Sequence, residues 1–177
     1  MPVTVVVETG SGVTGANAFL SVADWKAYAD QQGWDYSTAE YTEDQIGSAI
    51  VRGRAWLDAM YRSRWPGSRA NGREQSTAWP RKDATDGDGE VIVDDEIPAE
   101  VKDASAEAAW RELQEPGSLS PDLERGGAIK SLKAGSVEIT YADGASSLTV
   151  YSGIAQMLDG LLTTLPGNTS VSWPMRA

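Results

Sequence analysis

Apolar positions recur at helical spacing over four stretches of the chain and alternate with polar ones over a fifth. Ser21 precedes VADWKAYADQQ and Gly33 closes it, which predicts a first helix with a hydroxyl N-cap and a glycine stop. Thr42, followed three residues later by Gln45, forms a capping box that starts a second and longer helix. Its stripe of Ile46, Ile50, Gly53, Leu57, Met60 and Tyr61 runs to about residue 64, and Pro66 ends it. A third helix enters at Pro98, carries Asp94, Asp95 and Glu96 just ahead of it, and stops before Pro116. Its five alanines predict a shallow face that lets another helix come close. A last helix is expected from about 152 to 164, with Ile154, Met157, Leu158, Leu161, Leu162 and Leu165 on one side.

Residues 128–141 predict a hairpin, because Val137, Ile139 and Tyr141 alternate with polar residues and Ala134-Gly135 supplies a turn. The β-branched run VTVVV at 3–7 reads as strand-like, and the glycines of ETGSGVTG follow as a loop. Residues 66–96 form a connection longer than the usual limit of about 12 to 15 residues, with a strand-like VIV at 91–93. The tail at about 166–177 is expected to be extended. The fold class is therefore mainly α: a small bundle of three to four helices with a β-hairpin and extended arms. One domain over 1–177 fits the length.

Composition removes whole classes of chemistry. There is no cysteine and no histidine, so thiolate and histidine-based nucleophilic catalysis and Cys/His metal sites are excluded. No apolar run approaches the ~20 residues that span a bilayer, and the N-terminus lacks a signal-peptide pattern, so a soluble chain made in the cytoplasm is expected. The net charge of -11 disfavours general nucleic-acid binding.

The Asp-rich stretch TAWPRKDATDGDGEVIVDDEIP at 77–98 looks at first like a metal loop. A calcium loop counted from Asp86 places Val91 where glycine is needed and Ile97 where a bidentate glutamate is needed; counting from Asp83 is worse. The D-G-D-G run reads as a turn. No cofactor or metal is expected, and no catalytic residue stands out; a metal-dependent enzyme remains the outlying alternative. ETGSG lacks the lysine and following helix of a phosphate-binding loop.

Charge is segregated. Arg52, Arg54, Arg62, Arg64, Arg69, Arg73, Arg81 and Lys82 face only Asp58 and Glu74, whereas 83–107 holds ten carboxylates and one lysine. Opposed blocks of this kind can pair within a subunit or between subunits. Trp56, Trp65 and Trp79 interleave with the arginines, a composition shared by single-strand stacking grooves and by protein interfaces. The candidate contact residues are Arg62, Arg64, Arg69, Arg73, Trp79, Arg81, Asp94 and Asp95.

Taken in order, VVETGSG, ANAFLSVADWKAY, the helix ending RSRWPGSR, QSTAWPRKDATDGDG, DEIPAEVKDASAEAAW and IKSLKAGSVEITY span nearly the whole chain. This set resembles the head-tail connector, or adaptor, proteins of tailed bacteriophages, a group often labelled DnaT-like single-stranded DNA-binding proteins. The W-P-R at 79–81 and the I-P-x-x-V-K-D-A run at 97–104 are its most specific pieces. The resemblance implies a non-catalytic virion protein made in the host cytoplasm. It also implies a ring, commonly of twelve copies, below the portal protein and in contact with neck or tail-completion proteins. Double-stranded DNA would pass through without specific binding, and no membrane is involved. The alternative is a single-stranded DNA-binding replication accessory protein.

Overall fold

The structure, a computed structural model, describes residues 3–37, 41–120, 131–134, 137–140 and 151–163. It is mainly helical with small β-hairpins, as the sequence predicts. Helix α1 spans Val22–Gln32. Ser21 accepts the amide of Asp24 at 3.1 Å, the Asp24 carboxylate accepts the Ser21 amide in return, and Gly33 closes the helix in the left-handed region at φ 69°. Helix α2 spans Glu43–Met60 behind the expected Thr42–Gln45 box. It stops short of residue 64, and the chain turns through 61–64 into Pro66. Helix α3 spans Ala99–Gln114, with Pro98 at the cap position just outside it. Helix α4, Ser152–Leu158, is shorter than expected; beyond it the amides of Leu161 and Leu162 still bond to the Leu158 carbonyl.

The long connection is pinned by short antiparallel pairs. Strand β1 (Ser68–Arg69) pairs with β2 (Arg81–Lys82), and β3 (Ala84–Thr85) pairs with β4 (Val91–Ile92). Strands β5 (Ser131–Ala134) and β6 (Val137–Thr140) make the expected hairpin, but Ala134 is itself paired with Val137 and so belongs to the strand rather than to the turn. The N-terminal run differs from expectation. Val7 forms only an isolated bridge with Ala18, because the segment gains a two-residue anchor through Val6 and Glu8 and no longer partner. Leu165, Tyr141 and the tail lie outside the described residues.

The two long helices organise two clusters of buried side chains. One gathers Trp56, Leu57, Trp65, Trp79, Val101 and Leu158; the other gathers Trp25, Ile46, Ile50, Ala106, Ala109 and Leu113. Helices α2 and α3 approach so closely that a Cβ placed on Gly53 would lie 2.6 Å from the Ala109 amide nitrogen. The alanine face of α3 makes that approach possible.

Candidate functional site

The Asp-rich segment is a turn. Its pivot is Asp86, whose Oδ1 accepts the amides of Asp88 (3.0 Å) and Glu90 (2.9 Å), while its own amide donates to the Glu90 carbonyl. Gly89, at φ 87°, lets the chain reverse between β3 and β4, and the Gly87 amide donates to Gly160 beside α4. Among the described residues no three acidic side chains gather where they could hold a metal ion. The glycine loop after residue 8 is likewise occupied from within: Glu8 Oε1 accepts the amides of Gly10 and Gly12, which a phosphate would otherwise require.

Half of the basic block is spent on partners within the chain. Arg52 donates to Glu112 at 2.7 Å, and Arg54 donates to Asp58 at 2.9 Å and to the Asn17 carbonyl. Arg64 donates to the Thr163 carbonyl, so it ties the end of α2 to the segment after α4. Arg81 is buried and spends its guanidinium on the carbonyls of Pro66, Gly67 and Ala78, in effect a clasp across the β1–β2 connection. Burial pushes its pKa down, and Arg69 adds to that. Trp79 is fully buried, edge-on to Trp65 at 5.8 Å, and Trp56 is also buried. Of the sequence candidates, Trp79 and Arg81 therefore hold the 66–96 connection together from inside.

Arg62, Arg69, Arg73 and Lys82 remain, Lys82 exposed beside Arg81. With Arg81, Asp58 and Trp65 the three arginines line a cleft of about 430 Å³. Arg62 and Arg73 are exposed, and Arg69 is half-buried with one bond to the Gln75 carbonyl at 3.4 Å. The one acid in the wall, Asp58, is held by Arg54 and by the Ala78 amide; burial raises its pKa, and those contacts oppose the rise. Among the described residues the ion pairs are Lys26–Glu43, Arg52–Glu112 and Arg54–Asp58, and none reaches the three cleft arginines. The sequence candidates Asp94 and Asp95 are exposed on the segment after β4, next to Val91 and Val93, which are 74% and 53% exposed. They have no ion pair among the described residues either.

Two features escape a linear reading. Trp34 stacks on Trp110 at 5.0 Å, with Trp25, Tyr28 and Tyr36 around them. This is a half-buried aromatic group assembled from α1, the segment after it and α3. Burial, with Glu107 and Asp103 nearby, pushes Tyr28 up to about 12. Glu112 is the second: it accepts from Arg52, Gly117 and Leu119, but in sequence it is one acid among 26. Tyr28 and Tyr36 of this group thus sit beside carboxylates, while the tryptophans among the arginines are buried.

No curated protein and no solved structure matches the chain. A family model does match it over residues 3–176, and on that match the chain belongs to the family described as "Putative DnaT-like ssDNA binding protein".

Proposed function

We propose that this protein is a non-catalytic head-tail connector of a tailed bacteriophage, a ring-forming adaptor between the portal and the neck. The family description names single-stranded DNA and not a connector, so this reading rests on the ordered sequence resemblance and on one structural observation. A single-strand groove must expose rings among its basic groups, and the rings next to the cleft arginines are buried. Trp56, Trp65 and Trp79 are all buried, and Tyr28, which meets the half-buried Trp34–Trp110 stack edge-on, has Glu107 and Asp103 near it. A chain of net charge -11 also suits a channel wall along which DNA slides without sticking. Proteomics of purified virions, with electron microscopy of the chain co-expressed with its portal, tests the reading. Rings seated on the portal are expected; absence from virions together with no portal complex would reject it.

A second reading, single-stranded DNA binding, is favoured by the family description and by the cleft that Arg62, Arg69 and Arg73 line. It requires an affinity for oligothymidylate that falls steeply with salt and is lost on reversing those arginines.

A further inference from the structure

We propose that the Arg62–Arg69–Arg73 cleft is the docking site for the acidic segment at 93–96 of a second copy of this chain. The idea sharpens the ring reading and rests on it only for the existence of self-association.

Four observations support it. The cleft concentrates unpaired positive charge on a chain whose net charge is -11. Its neighbouring charges are already committed: Arg81 to three carbonyls, and Asp58 to Arg54 and the Ala78 amide. Asp94, Asp95 and Glu96 are exposed with no ion pair among the described residues, flanked by the two most exposed large hydrophobics described, Val91 and Val93. Finally, the two charged surfaces do not pair with each other inside one copy. Complementary patches at different places on one molecule make a heterologous contact, the kind that closes into a ring or runs on as a filament. The cleft wall also offers Trp65 and Ala78 as apolar neighbours for a valine. The exposed valines beside the acids favour a protein segment over a nucleic-acid phosphate, which has no apolar flank to bury.

Sedimentation velocity of the full chain over a range of concentrations at low salt tests this. The wild type should self-associate, and Arg62→Glu/Arg73→Glu should weaken association at least about tenfold, as should Asp94→Arg/Asp95→Arg. All four substitutions together should restore association, because the charges are exchanged. Circular dichroism should show every variant folded, since all four side chains are exposed. A monomeric wild type, reversals without effect, or no restoration in the fourfold variant would overturn the proposal. So would oligothymidylate binding that the arginine reversal abolishes while self-association persists, which assigns the cleft to nucleic acid. Presence in virions is a separate measurement, so the connector reading can stand or fall independently of this one.

Discussion

Glu112 is a buried carboxylate on α3 that no single neighbour could hold alone. Burial pushes its pKa up, but bonds from the Gly117 amide, Arg52 and the Leu119 amide outweigh this and hold it below its ordinary value of 4.5. A carboxyl lowered in the folded state adds stability that is fully present above the unfolded value and is lost as pH falls through the folded one. Glu112→Gln should therefore cost about 1.5–3 kcal/mol at neutral pH, the range for hydrogen bonds to a charged group. The gap from wild type should narrow as pH falls below 4.5. Urea unfolding at neutral and acid pH measures this, and a gap independent of pH would deny the charge its role. Nothing in the sequence marks Glu112, because its partners lie 60, 5 and 7 residues away and only the turn after α3 brings the near ones back. Trp79 and Arg81 show a different gap. Their importance is visible in W-P-R, but a sequence cannot say that the arginine turns inward to carbonyls.

The caps of α1 and α2 were legible because a cap is a local device: Ser21, Gly33, Thr42 and Gln45 each act within a few residues. The pairs β1–β2 and β3–β4 were not, since two-residue strands have no periodicity and are set by closure of the connection onto the core. The contact between α2 and α3 falls between these cases. The alanines announced a close approach, and Gly53 proves to be the point where the backbones meet. Two effects compete in Gly53→Ala. Alanine gains about 1 kcal/mol of helix propensity, whereas overpacking costs typically about 1–3 kcal/mol. Here the obstacles are backbone atoms of Ala108 and Ala109 at 2.6–3.0 Å, which cannot swing aside as a side chain would. Net destabilisation of about 1–2 kcal/mol is expected by thermal or urea unfolding. Gly153, in α4 with nothing within 4 Å of its would-be Cβ, supplies the contrast. Gly153→Ala should leave stability unchanged or raise it by up to about 1 kcal/mol. Equal losses at both sites would mean that the helix contact is not what makes Gly53 necessary.

For the whole molecule, a large negative total and a small positive cleft together bound the affinity it can have for DNA. Charge segregation was legible in the sequence, but the distribution of its arginines was not: Arg52, Arg54 and Arg81 are committed to partners within the chain, and Arg64 ties the end of α2 to the segment after α4. Only Arg62, Arg69 and Arg73 are left at the cleft to displace counterions from a phosphate backbone. For single strands, the slope of log affinity against log salt is about -0.7 per phosphate neutralised, so three arginines set a limit near about -2. Fluorescence anisotropy with oligothymidylate should therefore give, at most, weak binding at low salt with a slope no steeper than that limit. A steeper slope would require cations outside the cleft, such as the exposed Lys82. That result would raise the family's single-strand description above the proposed connector reading.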